Sequence, residues 1–263
     1  MGSQTSNNNA VAREKLFRQF QVEKFGRSRS VPSVSMTIDI VLTRIQQRRR
    51  AYNSGAAEAD RITLTHVLIK SVSMALVEFP DLYGLFNGSR VVPSKQIRIN
   101  LPIAEGHHVE YLVIKSPESK GLQEIAREVR EGTSKIRAGA GDFYLGLKTL
   151  FRFPRMVRRF VTHFMPLSVR LAYKSYGNFP ITNFGSFGVK NGIPVLSTPM
   201  IGVLCVGMIQ SVSTHPDGNG SELSEVLPVT LVFDHRPIDG AYGGQFLNRL
   251  KALMESEVDS VFA

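Results

Sequence analysis

Polar and apolar residues alternate between residues 34 and 41, where Met36, Ile38 and Ile40 share one side. A period of two is typical of a half-buried strand. Similar patterns predict strands at 97–104, 109–115, 179–184, 200–210 and 226–233. The last of these is almost continuously apolar up to Asp234, which predicts a strand that is buried on both faces.

In other segments, apolar residues recur every three or four positions, which predicts amphipathic helices. These segments are 11–26, 42–53, 64–79 and 121–136, and a final helix should bury Phe246, Leu247, Leu250, Leu253 and Met254. The third helix has Thr63 or Thr65 as its candidate N-cap, and Pro80 supplies its stop.

Strands are therefore expected both between helices and in hairpins. Asn87-Gly88, within 85–92, suits the tight turn of a hairpin. Together these elements predict an α/β (α+β) fold, a two-layer sandwich in which a mixed sheet carries helices on one face. We expect a flexible arm and linker over 1–32 and a folded domain over 33–263.

The net charge of +10 is concentrated in one part of the chain, since no acidic residue occurs between Asp142 and Asp217. Within it we interpret 141–176 as a basic amphipathic insertion. Its apolar stripe comprises Phe153, Met156, Val157, Phe160, Val161 and Phe164, and the other side carries Arg152, Arg155, Arg158 and Arg159. A surface helix packed on the domain and a helix lying on an anionic membrane surface through 148–176 both fit this pattern. Nucleic-acid binding is disfavoured because no recognised binding module accompanies the charge.

The single cysteine, Cys205, excludes an internal disulfide framework and a cysteine-based zinc site. It indicates a reducing compartment, so a cytoplasmic location is expected, with peripheral membrane attachment as an alternative. Cys205 itself, between two apolar residues, is interpreted as apolar filler. No cluster has metal-ligand spacing, so no metal is expected. Residues 191–210 carry no charge, but Pro194 and Pro199 leave an apolar run too short to cross a bilayer.

The stretch DHRPIDG, residues 234–240, places two carboxylates, a histidine and an arginine where the last strand stops. Each has an ordinary structural interpretation: His235 as a residue at a strand end, Asp239 as the cap of the final helix, and Arg236 as a solvated side chain. The combination instead favours an active site.

DHRPIDG resembles the signature of the dihydrolipoyl acyltransferases, the core subunits of 2-oxoacid dehydrogenase complexes. These share their fold with chloramphenicol acetyltransferase and its His-x-x-x-Asp-Gly motif. NFPITNFGSFG at 178–188, the residues up to 210, and LTHVLIKSVSMALVEFPDLYGLFNG at 64–88 resemble further blocks of the family in the same order. The resemblance covers most of 34–256 and implies the chloramphenicol acetyltransferase-like fold. It also implies a homotrimer with the active site between subunits.

The resemblance implies a role for individual residues. His235 matches the catalytic general base, with its own backbone carbonyl holding the tautomer. Asp239 matches the motif aspartate and is expected to orient the loop and an arginine. Thr182 lies 53 residues before His235 and matches the donor to the oxyanion, supplied by a neighbouring chain. Asn183 and Arg236 are the expected substrate-binding residues.

The implied reaction moves a short acyl group between coenzyme A, as co-substrate, and a thiol carrier such as dihydrolipoamide. A free thiol, with a pKa near ~8.5, is mostly protonated at neutral pH and needs a general base. About 33 residues precede the first predicted strand. We therefore expect no lipoyl group attached to this chain, and a lipoyl-domain protein acting in trans. The alternative is a catalytically silent trimeric scaffold or membrane-surface protein.

Other features are given less weight. We expect His107-His108 to lie in a surface loop, His66 to be a satisfied core histidine, and Gly185-x-x-Gly188 to form a turn between strands. The strand segment beginning HHVEYLVIK departs from the family's GLVVPV, which indicates a different acyl or carrier preference. The C-terminal stretch MESEVDSVFA, polar apart from its last three residues, favours an isolated trimer over a larger cage.

Overall fold

The computed structural model describes residues 11–19, 31–106, 108–154, 156–157, 177–214 and 222–263. Its helices are α1 (11–19), α2 (Thr43–Asn53), α3 (Leu64–Glu78), α4 (Leu122–Arg137), α5 (Asp142–Leu150), α6 (Gly240–Glu255) and α7 (Val258–Phe262). Its strands are β1 (Ser33–Val41), β2 (Leu85–Phe86), β3 (Val91–Val92), β4 (Arg98–Glu105), β5 (His108–Lys115), β6 (Phe179–Asn183), β7 (Gly202–Val206), β8 (Gln210–Thr214) and β9 (Glu222–Asp234). Among these helices, none is both long enough and apolar enough to span a bilayer.

Seven strands form one mixed sheet in the order β1-β9-β7-β6-β4-β5, and β8 pairs with β9 beyond the end of β7. β6 runs parallel to both β4 and β7, whereas the other pairs are antiparallel. The predicted hairpin forms a separate two-stranded ribbon of β2 and β3. The mixed sheet and the hairpin predicted from the sequence are confirmed.

Register separates the two faces of the sheet. Ile181, Leu204 and Leu231 are paired across β6, β7 and β9, and they join the main core. That core also contains the inward residues of α3 and α6, including Phe246 and Leu250, which are fully buried. Because successive strand residues point to opposite faces, the next row lies on the side away from these helices.

The predicted strand 200–210 is wrong in one respect, because it is two strands with a break between them. A Cβ at Gly207 would lie 1.7 Å from the carbonyl oxygen of Lys190, so the chain at this point has no room for a side chain. Met208 N donates to Val189 O at 2.9 Å. The chain then rejoins the sheet as β8, and this pairing extends β9 back to Glu222, before the start that the apolar pattern predicts.

Helix α1 lies within the helix predicted over 11–26 and packs onto the domain. Arg13 donates to the carboxylate of Glu110 and, at 3.0 Å, to the carbonyl of Ile136. Phe17 is 1% exposed and stacks on the ring of His108 at 4.6 Å. His108 is consequently covered rather than displayed on a surface loop, while His107 lies outside the described residues. Burial raises the pKa of Glu110, and its hydrogen bond to Arg13 opposes that rise.

Helix α5 has no counterpart among the predicted elements. Its apolar residues Phe143, Tyr144 and Leu147 cluster with Phe17 and Tyr111. This small cluster is separate from the main core, and it binds the start of the basic insertion to α1 and β5. Residues 155 and 158–176, which carry most of the predicted insertion helix, lie outside the described residues.

The first turn of α3 contains a buried histidine. Thr63 is the N-cap, and the ring Nδ1 of His66 accepts a hydrogen bond from Thr63 N at 3.1 Å. His66 is 4% exposed, and burial lowers the pKa of its ring to about 4. The interpretation of His66 as a satisfied core histidine is confirmed.

The C-terminal residues pack on their own domain. Val258, Val261 and Phe262 are buried in α7, and the Phe262 ring meets Tyr52 edge-on at 5.6 Å. The apolar end of the chain therefore contributes to the main core.

We predict that His66→Gln removes a pH-dependent part of the folding free energy. Glutamine at this position keeps an acceptor for the capping box but does not titrate. The folded pKa of His66 lies below the unfolded value, so its contribution is complete above pH 6.5 and declines as the pH falls toward 4. Urea unfolding at neutral pH and near pH 4.5 should show the wild type losing about 2–3 kcal/mol more than the variant.

The control is Leu223→Ser, a substitution of a side chain that does not titrate at an exposed position, which should keep the wild-type pH dependence. Equal losses of unfolding free energy in the wild type and His66→Gln would contradict the prediction.

Candidate active site

His235 stands immediately beyond the end of β9. Asp234, the last residue of β9, pairs in register with Ser33 of β1, and His235 N donates to Pro32 O at 2.9 Å. The side chain of His235 is exposed. Two neighbouring strands thus fix the backbone of the histidine while its ring faces solvent.

The ring of His235 is held through its Nδ1 atom and meets the ring of Phe233 edge-on at 5.9 Å. Its Nδ1 lies 3.0 Å from the carbonyl oxygen of Ile238, a residue that is 7% exposed and belongs to the main core. A proton on Nδ1 satisfies this carbonyl, and Nε2 is then left as an acceptor. The expectation that the histidine's own carbonyl holds the tautomer is wrong, because the carbonyl of Ile238 occupies that role.

The two motif carboxylates have separate tasks. Asp234 is buried and accepts hydrogen bonds from the Arg236 guanidinium, and this bonding raises the pKa of Arg236. Asp239 caps α6, with its Oδ1 accepting from Tyr242 N at 2.9 Å. The structural interpretation of Asp239 as a helix cap is confirmed. Arg236 pairs with Asp234 and not with Asp239, and the catalytic role of Asp239 stays a prediction.

Thr182 lies in the middle of the sheet, away from His235. It pairs with Cys205 of β7, which pairs with Thr230 of β9, five residues before His235. At about 3.3 Å per residue and about 4.8 Å per strand, these offsets separate Thr182 from His235 by roughly 19 Å. One chain therefore does not bring the two residues together.

Asn183 ends β6 and starts a tight turn. Its Oδ1 accepts a hydrogen bond from Ser186 N at 3.1 Å, and residues Gly185–Phe187 form a 3₁₀ turn. Gly188 has a φ of +74°, which favours glycine. The interpretation of Gly185-x-x-Gly188 as a turn between strands is confirmed, and Asn183 uses part of its hydrogen-bonding capacity to hold this turn.

Cys205 is 1% exposed, and burial raises the pKa of its thiol to about 11. The thiol stays protonated at neutral pH, which confirms the interpretation of Cys205 as apolar filler rather than a nucleophile. Within the described parts of the chain, no group of three or more histidine, cysteine or acidic side chains could hold a metal ion.

The residues that sequence reasoning missed are those that hold the histidine in place. Pro32 and Ile238 act through backbone carbonyls, which carry no signal in the sequence. Asp234 lies within the motif, but nothing in the sequence pattern separates its role from that of Asp239. The resulting arrangement, an exposed imidazole with one nitrogen fixed and the other available, suits proton transfer to and from a bound molecule.

The chain matches the model of the family described as 2-oxoacid dehydrogenases acyltransferase (catalytic domain) over residues 8–142 and 149–262. It is 26% identical over 226 residues to the dihydrolipoyllysine-residue acetyltransferase component of the acetoin cleaving system of Bacillus subtilis (strain 168), covering 85% of this chain and 49% of that protein. It is 29% identical over 232 residues to the corresponding component of the pyruvate dehydrogenase complex of Acholeplasma laidlawii, covering 87% and 37%. The chain thus spans about half the length of these relatives, or less.

Solved structures agree in fold. The cubic core of the pyruvate dehydrogenase multienzyme complex superposes with a TM-score of 0.75 at 21% identity, covering 94% of this chain and 91% of that one. Chloramphenicol acetyltransferase gives a TM-score of 0.50 at 16% identity, covering 89% and 94%. The predicted chloramphenicol acetyltransferase-like fold is confirmed.

The family match includes the DHRPIDG segment, the strands of the sheet and the helices packed against it. Its gap at 143–148 falls within α5. Because it covers almost the whole chain, this protein belongs to the 2-oxoacid dehydrogenase acyltransferase (catalytic domain) family.

Proposed function

We propose that this protein transfers a short acyl group between coenzyme A and a thiol carrier such as dihydrolipoamide. His235 is the general base, and Thr182 of a neighbouring subunit is the donor to the oxyanion. The observation that carries the proposal is the exposed ring of His235, with Nδ1 held at 3.0 Å from Ile238 O and Nε2 available.

The chemistry follows from this geometry. Nε2 removes the proton of the attacking thiol, and the sulfur adds to the thioester carbonyl, giving a tetrahedral intermediate with a negative oxygen. The Thr182 hydroxyl donates to that oxygen. The intermediate then collapses and expels the second thiol, which takes the proton back from the imidazolium. Protonated His235 needs no carboxylate, because Ile238 O still accepts from Nδ1.

The separation of Thr182 from His235 supports an active site shared between subunits. The segment after β6 exposes large apolar side chains, with Phe187 at 67%, Ile193 at 69% and Val195 at 64%. Exposed apolar side chains near one another are typical of protein interfaces. They support a homotrimer, and the burial of α7 within its own chain supports a trimer that does not build a larger cage.

The names of the relatives support the substrate class, since they are dihydrolipoyllysine-residue acetyltransferase components. One solved structure concerns a serine, a histidine and an asparagine in the catalytic mechanism of the Azotobacter vinelandii dihydrolipoamide acetyltransferase. There the asparagine stands four positions after the histidine, as Asp239 does here after His235. We propose that Asn183 and Arg236 contribute to the substrate site and that the lipoyl carrier acts in trans.

We predict that His235→Ala greatly slows acyl transfer. The assay is free-thiol release from a panel of short acyl-coenzyme A esters, with and without dihydrolipoamide. Loss of the base should lower the rate about 10²–10⁴-fold, and Thr182→Val should lower it about 10²–10³-fold. His66→Gln is the control and should keep wild-type activity near neutral pH. A wild type that is silent across the panel would favour a scaffold without turnover, the alternative function.

We predict that the two inactive variants complement each other. In mixed oligomers of His235→Ala and Thr182→Val, some sites combine an intact histidine with an intact threonine from the neighbouring chain. Random assembly at equal amounts restores about a quarter of the wild-type sites. Co-refolded mixtures with no more activity than the separate variants would place both residues in one chain and contradict the shared site.

A second candidate function rests on the start of the basic insertion. Phe153 is 52% exposed and Met156 85% exposed, and Lys148 and Arg152 nearby are also exposed. Apolar side chains beside cations suit the surface of an anionic membrane. In this function the protein binds peripherally to the membrane.

Flotation with anionic and neutral liposomes tests this second function. The wild type should float with anionic liposomes at low salt and less at high salt, because cations attract anionic lipid. Phe153→Ser/Met156→Ser should reduce flotation, whereas Leu223→Ser, at an exposed apolar position on β9, should not. No flotation of the wild type at any salt concentration would exclude membrane binding.

A further inference from the structure

We propose that Asp234, Arg236 and Phe86 are positioning residues for His235, and that they couple its ring to the β2–β3 hairpin. The proposal deepens the acyltransferase function proposed above by adding residues that act through the base. It assigns Arg236 a role in the active-site turn that does not depend on contact with substrate.

Asp234 forms hydrogen bonds with Arg236, the residue on the other side of His235. Its Oδ1 accepts from Arg236 N at 3.0 Å and from Arg236 Nε at 2.9 Å, while Oδ2 accepts from Nη2 at 2.5 Å. The residues before and after His235 are therefore bonded to each other through both backbone and side chain. Asp234 is 1% exposed, so its charge depends on this single described cation.

Arg236 reaches beyond the turn to a different element. Its guanidinium carbon lies 4.9 Å from the centre of the Phe86 ring, a cation–π contact. Phe86 N donates to Pro199 O at 2.8 Å, and Leu85 bridges to Met200. The hairpin is thus attached both to the segment before β7 and to the turn that carries His235.

The coupling matters because the tautomer of His235 depends on one bond to the same turn. Nδ1 reaches Ile238 O only while residues 235–238 keep their path, and Ile238 is anchored in the core. If Arg236 moves, the backbone that leads from His235 to Ile238 changes its course. Loss of the bond frees Nδ1 and lets the proton move to Nε2, which then has no free pair to accept the proton of a thiol.

The experiment reads the tautomer directly and needs no substrate. Histidine ring nitrogens are labelled with ¹⁵N, and the His235 signals, assigned with His235→Gln, are recorded at about pH 8, where an ordinary histidine is neutral. The wild type should show mainly the Nδ1-protonated form. Arg236→Lys keeps the positive charge but loses the planar guanidinium that binds both carboxylate oxygens of Asp234. Phe86→Leu keeps the Asp234–Arg236 ion pair but removes the aromatic ring. Each should raise the fraction of the Nε2-protonated form at least about twofold over the wild type, with kcat lowered about tenfold. KM should change much less in Phe86→Leu, whose ring has no proposed contact with substrate.

Arg249→Lys is the matched control. Arg249 lies on α6 and binds Glu78 and Glu257, so this variant should leave the His235 signals unchanged. Wild-type tautomer fractions in folded Arg236→Lys and Phe86→Leu would overturn the proposal, since a purely structural role lowers only the folded fraction. A tautomer shift in a protein that transfers no acyl group would support the positioning role and overturn the proposed function alone.

Discussion

Strand β9 is the element on which the rest of the molecule depends. Its 13 residues pair with β1 on one side and with β7 and then β8 on the other. It is buried on both faces from Val226 to Asp234, so a one-residue slip in register would exchange the side chains packed on its two faces and disrupt the packing on both. Because β9 ends at Asp234, the position of His235 is fixed by the same pairing that holds the sheet together.

Much of this fold can be read from the sequence, since most of its elements have one apolar side. The alternation at 34–41, the spacing of α3 and the run of Phe246 to Met254 each indicate a face that must be buried. The hydrophobic pattern did not predict the segments that pack against one neighbouring element instead of the main core. Helix α5 packs on α1 and β5 rather than on the main core, and the polar start of β9 is a strand only because β8 lies beside it.

The residues of the candidate site also divide into those that the sequence predicts and those that only the structure reveals. His235 and Asp239 could be found because they form a motif in one short stretch. Thr182 could be named only through the family resemblance, and its distance of roughly 19 Å from His235 follows from register across three strands. The carbonyls of Pro32 and Ile238 could not be predicted, because any residue supplies a carbonyl and only the folded path decides which one meets the imidazole.

The close approach of the chain at Gly207 also limits how this protein can evolve. A side chain there would meet the backbone of Lys190, and one at Gly185 would lie 2.3 Å from Gly207 O. Neither obstacle is a flexible side chain that could rotate away. At Gly185 and Gly207, which follow the strand that carries Thr182, no residue other than glycine therefore fits. Substitutions that reshape the surroundings of Thr182 have to arise elsewhere, at positions where a new side chain does not meet backbone atoms.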